Sequence, residues 1–287
     1  MRIVSYVRTR RAGALVAAAL LAAGCGEPIV PRSPEALYAL AKEQMANANY
    51  APALDTLARV AREGKGSALG RRAQVLHVVV LGGMARGLKE VAESYLVGSQ
   101  EAGAAAYASQ MRSIAMDYFG RARGLSIEMV EALDRLRQQP LQPLPVDFPV
   151  AASPGTGNPT LTKVRQGSWV EDPDRTRAEK EKIVEGMAGL LARLGGAGDD
   201  AGQLRARLQE LDPADFYLGA ARELLSMSSI YRAEALKDPR MFRLYHERAL
   251  TLAERAAQVA AAGGDARQQQ ESAELQRLCR EVLKKKS

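Results

Sequence analysis

Cysteine and histidine each occur only twice in these 287 residues, and tryptophan once. A structural or catalytic metal centre gathers three or four thiolate, imidazole or carboxylate ligands. Here His77 and His246 stand in different halves of the chain, Cys279 is near neither, and no HExxH or paired-cysteine run exists. No metal and no other cofactor is therefore expected, and His77, set in "VLHVVV", reads as a hydrogen-bonded core residue. Nucleophile elbows of the GxSxG kind are missing as well. The glycine-rich stretch "GKGSALG" at 64–70 spaces its glycines as GxGxxxG and lacks the Gly-Lys-Ser/Thr ending of a phosphate loop. It also follows a helical pattern where a phosphate loop needs a strand, so it reads as a turn between helices.

Aromatic residues make up 5% of the chain and β-branched runs are scarce, which argues against a sheet core and against a two-lobed α/β ligand binder. Alanine, leucine, arginine and glutamate dominate instead, and all four are good helix formers. The expected fold class is all-α. The many acids sit beside Arg or Lys at i+3 and i+4, as in "RAEKEKIVE", the pattern of solvated helix faces. No residue is assigned a catalytic role, and the chain is not expected to be an enzyme.

The formal net charge of +7 is unevenly placed. Arg2, Arg8, Arg10 and Arg11 precede any acid, and the thirteen residues Ala12 to Gly24, "AGALVAAALLAAG", carry no charge at all. As a helix this run is about 20 Å long, too short to cross a hydrocarbon core of about 30 Å. A basic start, a short apolar stretch and a small-residue exit are the parts of a secretory signal. Residues 1–24 are read as that signal. Without them 36 basic residues face 33 acids, a net +3, so no nucleic-acid partner is expected.

Directly after the apolar stretch comes "LLAAGCGEP". Leu21-Ala22-Ala23-Gly24-Cys25 resembles the lipobox of bacterial lipoproteins. The resemblance implies cleavage before Cys25, diacylglycerol on its sulfur and acylation (palmitate, for example) of the new N-terminus. Two or more chains hold a protein stably at a bilayer, each buried CH₂ contributing about 0.8 kcal/mol. Gly26 stands where an aspartate would favour retention at the inner membrane, so the implied address is the outer membrane, facing the periplasm. With Cys25 lipidated, Cys279 is the remaining thiol and no intramolecular disulfide can form. Lying with Leu275, Leu278 and Val282 at helical spacing, it reads as a small buried hydrophobe.

Residues 25–32 read as a tether. Ser33-Pro34-Glu35 then opens a helix with a serine cap, a first-turn proline and an early acid. A turn at Asn47-Ala48-Asn49 and a second helix ending at Gly64 follow, and another helix starts near Ser67. With Leu37, Leu40 and Ala41 in the first helix and Tyr50, Ala53 and Leu57 in the second, the unit resembles a tetratricopeptide repeat of about 34 residues. That resemblance implies a helical solenoid whose concave face binds a protein or peptide, with Glu35, Tyr38, Lys42 and Met45 facing the groove. A lipobox followed by such a repeat also resembles lipoproteins of envelope assembly.

Residues 33–139 form the expected N-terminal helical repeat region, with a break considered at Gly82-Gly83 and a separate helix over 125–139. Six of the thirteen prolines fall between Pro140 and Pro159, so 140–172 is expected to be a long linker. In it "VDFPV" and "LTKVRQGSWV" could pair as a small β-hairpin. Trp169 either anchors a partner or pins the linker onto a helix. The C-terminal helical region, 173–287, carries apolar stripes on a helix from Asp174, a short helix over 200–211, helices opened by Asp212-Pro213 and Asp238-Pro239, and a capping helix over about 266–284. The function expected is a lipid-anchored scaffold for a protein or peptide partner in the envelope. The alternative is an enzyme acting on envelope glycan (peptidoglycan) through paired carboxylates.

Overall fold

Helix ends account for most of the architecture. In the computed structural model, which describes residues 33–138, 142–149, 157–196, 209–232 and 236–285, short polar side chains cap the helices where the sequence places them. Ser33 Oγ accepts from the Ala36 amide at 3.2 Å, and Ser67 Oγ from Gly70 at 3.0 Å. Asp212, Asp238 and Asp265 cap three later helices in the same way. Each cap contributes about 1 kcal/mol by pairing amides that the helix leaves open.

The helices so defined are α1 (Pro34–Ala46), α2 (Tyr50–Glu63), α3 (Ala68–Gly98), α4 (Ala108–Arg137), α5 (Pro159–Arg165), α6 (Asp172–Leu194), α7 (Pro213–Ser228), α8 (Pro239–Gly263) and α9 (Ala266–Lys284). Two three-residue strands, β1 (Leu144–Val146) and β2 (Gln209–Leu211), pair antiparallel with Leu144 opposite Leu211. The fold is all-α apart from this ribbon. The signal at 1–24, the tether at 25–32 with Cys25, and residues 200–208 of the expected short helix lie outside the described residues.

α1 and α2 form an antiparallel pair, turning at Ala48, whose φ of 57° lies in the left-handed region. Of the positions matched to the repeat, Leu37, Ala41, Tyr50, Ala53 and Leu57 are buried, whereas Leu40 is only half-buried. α2 then lies on α3, and α3 on α4. The order does not continue as a simple stack. α3 also carries α5 and α6, and α7, α8 and α9 form a mutually packed group joined to the rest by contacts of α7 with α6 and α3 and of α8 with α4. At the last junction Tyr245 of α8 and Ser126 of α4 share a buried hydrogen bond of 2.6 Å, and Arg248 reaches Asp134 at 3.2 Å.

Several expectations change here. No break occurs at Gly82-Gly83, because α3 runs unbroken for 31 residues. The glycines serve helix packing instead: a Cβ on Gly83 would stand 2.3 Å from Met187 Cγ, and one on Gly87 2.4 Å from the Lys182 carbonyl oxygen. α3 and α6 can approach this closely only without side chains between them. The separate helix expected over 125–139 is the second half of α4, which passes through Gly120 and Gly124. The hairpin expected between "VDFPV" and "LTKVRQGSWV" does not form. β1 pairs with β2, more than sixty residues later, while 159–165 becomes α5, begun by an Asn158 side chain that accepts from the Leu161 amide at 2.9 Å. Residues 209–211, expected to end a helix, are the partner strand.

Candidate functional site

The four residues expected to face a groove sit on α1, but they do not share one environment. Glu35 is exposed. Met45 is fully buried and belongs to the core. Tyr38 and Lys42, one turn apart, meet a segment of the chain's own middle region. The Tyr38 hydroxyl donates to Asp147 Oδ1 at 3.2 Å, and Lys42 Nζ donates to Asp147 Oδ2 at 2.5 Å. The same ammonium lies 5.5 Å from the centre of the Tyr38 ring.

Asp147 follows β1, which packs on α3, and its apolar neighbours Val146 and Phe148 are 0% and 6% exposed. An extended apolar–acid–apolar segment thus lies across α1 and α3, its carboxylate held by a hydroxyl and an ammonium. Prolines at 143, 145 and 149 suit this, since proline disfavours helix and fixes an extended φ. The electrostatics agree with the geometry. Partial burial pushes the Asp147 carboxyl up, but the Lys42 ammonium, a backbone amide and the Tyr38 hydroxyl outweigh that and hold it below the usual carboxylate range. Burial, followed by the Asp147 charge, pushes the Tyr38 hydroxyl well above its ordinary value, so it stays a donor.

Sequence reasoning named Tyr38 and Lys42 but missed Asp147, Val146 and Phe148. The alternation in "VDFPV" is the signal, and on its own it suggests a hairpin strand because nothing local points to α1 as its partner.

Trp169 packs at a tilt against Tyr107 at the start of α4, with ring centroids 5.5 Å apart, and is partly buried against the core. It ties the loop after α5 to α4, while Tyr107 keeps 41% of its surface exposed. Cys279 is buried on α9, and burial pushes its thiol up to about 11. A thiol held protonated is a poor nucleophile.

Acids come together in a cleft between α4 and α6, where Asp117 and Glu179 both line the wall, and in a smaller one between α4 and α8, lined by Glu131 and Asp134, where Asp134 is paired with Arg248 at 3.2 Å. Glu179 already accepts from the Tyr118 hydroxyl at 3.0 Å and pairs with Arg121 at 2.5 Å. Both carboxylate oxygens are thus already engaged by neighbouring side chains. Among the described residues, no group of three or more His, Cys, Asp or Glu is placed to hold a metal ion, and no helix is long and apolar enough to cross a membrane.

No protein-family model matches the chain, and neither curated proteins nor solved structures give a match.

Proposed function

We propose that the chain is a lipid-anchored helical scaffold of the bacterial outer membrane, facing the periplasm, that binds an extended segment of a protein or peptide partner along α1 and α3. The repeat-like pairing of α1, α2 and α3 supplies the surface, and diacylglycerol on Cys25 supplies the anchor. The observation that carries the binding reading is the seating of Asp147 against Tyr38 and Lys42 with Val146 and Phe148 buried beside it. A surface that accepts an extended apolar–acid–apolar segment from its own chain has the shape and charge to accept one from a partner. Partner affinity then depends on displacing the resident segment, which is tethered and so present at high effective concentration.

The reading places the protein in envelope assembly as a binding module without cofactor, metal or nucleic acid. The competing enzyme reading, carboxylate attack on envelope glycan, finds little support in a Glu179 already committed to Arg121 and Tyr118.

The experiment is a photo-crosslinking amino acid placed at Glu35, which is exposed and one turn from Tyr38. In intact envelopes it captures a defined protein, and Asp147→Ala, by loosening the resident segment, raises the yield. Recovery of uncrosslinked protein alone, with purified material that cleaves peptidoglycan, overturns the scaffold reading in favour of the enzyme.

A further inference from the structure

A second surface, lined by none of the residues that seat Asp147, opens between α2 and α4 with the first turns of α3 as its floor. It is a cleft of about 880 Å³, at the upper end of the range for small-molecule sites. Four cations line it: Arg59 and Arg62 on α2, Lys65 in the following turn, and Arg135 on α4. Asp55 is the acid among the lining residues. Arg59 is engaged by Glu63 at 2.7 Å, and Arg135 approaches Glu131 only at 3.9 Å, with both side chains largely exposed. Arg62 and Lys65 have no ion-pair partner among the described residues. On the floor, the Gln74 amide oxygen is buried without a hydrogen-bond partner. Small alanines, Ala58 and Ala132 among them, form the apolar part of the wall.

Cations massed in a concave, partly apolar site raise the local concentration of anions. These cations approach from three separate elements. A planar monoanionic carboxylate is met best by a single forked partner, whereas a tetrahedral dianion offers lone pairs in every direction. We propose that this cleft binds an organic phosphate, its phosphate group facing Arg62, Lys65 and Arg135 and its less polar part lying on the alanine wall. The Gln74 side chain, turned so that its amide nitrogen faces the ligand, adds a donor. The phosphate is carried either by a free small molecule or by a lipid headgroup, and the chemistry read by the cleft is the same.

The test uses the chain carrying Cys25→Ser, so that no acyl anchor reports in place of the cleft. Calorimetric titration with pyrophosphate gives a saturable single site, and citrate binds more weakly. The double variant Arg62→Ala/Lys65→Ala and the single variant Arg135→Ala each weaken pyrophosphate at least tenfold. Arg62→Lys, which keeps the charge, retains binding. The three cleft positions changed, Arg62, Lys65 and Arg135, are exposed, so the melting temperature without ligand serves as the folding control and stays unchanged. Parallel sedimentation with phosphatidylcholine vesicles, with and without phosphatidic acid, separates the two sources. Acid-dependent sedimentation lost in the same variants assigns a headgroup, and pyrophosphate binding without sedimentation assigns a free phosphate. Tighter binding of citrate, no saturable binding of any probe, or equal affinity in the variants overturns the proposal.

Discussion

His77 shows how a single side chain departs from its sequence context. Flanked by valines and leucine, it was expected in the core with a hydrogen bond, yet it lines the α2–α4 cleft. Burial, reinforced by the positive charge of Arg135 and opposed by Asp55, pushes its imidazole down to about 4 from an ordinary 6.5. Between those values the unfolded chain takes up a proton that the folded chain refuses. Stability contributed at this site is complete above pH 6.5 and is lost as pH falls toward 4. The loss amounts to about 3 kcal/mol at most. Thermal melts of the protein and of His77→Gln should therefore diverge: the variant has the flatter fall in melting temperature between pH 6.5 and 4. Parallel curves for the two proteins would mean that the imidazole is well hydrated.

At the level of elements, the helices were legible because their ends are written locally. A capping Ser or Asp, a proline behind it and an apolar stripe at helical spacing need no tertiary partner to be recognised. The stripe Ile183, Met187, Leu190, Leu191 and Leu194 is buried as its spacing requires, and so is that of Tyr217, Ala220, Leu224, Met227 and Tyr231. Glycine is where local reading failed, since a helix-weakening residue says nothing about what crosses it. Two substitutions separate the meanings. Gly87→Leu drives a side chain into the α6 backbone and should cost about 3 kcal/mol or more, seen in chemical denaturation. Gly124→Ala meets nothing within 4 Å and should stabilise by about 0.5–1 kcal/mol, because alanine loses less backbone freedom in a helix. A similar response from both would remove the close α3–α6 crossing as the reason for the glycines.

For the whole molecule, the anchor and the binding surface belong to one proposal but stand on separate observations. The anchor rests on Leu21 to Cys25, and its prediction is direct. Radiolabelled palmitate fed to the source bacterium should mark the protein, and Cys25→Ser should abolish the mark. Persistent labelling in the variant sinks the lipobox reading while leaving the helical surface intact. The binding surface rests on packing. α3 is touched by α2, α4, α5, α6 and β1 together, so a break in its register would disturb both the seat of Asp147 and the floor of the cationic cleft.

Helical content, most helix starts and stops, the inward positions Leu37, Ala41, Tyr50, Ala53 and Leu57 of the first helix pair (though not the burial of Met45) and the pairing of Tyr38 with Lys42 on one face all follow from spacing within a few turns. The partners of those faces do not. That β1 would pair with residues 209–211, that Asp147 would close onto α1 more than one hundred residues earlier, and that α2 and α4 would bring Arg62, Lys65 and Arg135 around one cleft depend on how long helices cross. Those crossings are set by the distributed fit of small and large side chains along α3 and α6, a property of surfaces in contact that no short stretch of sequence displays.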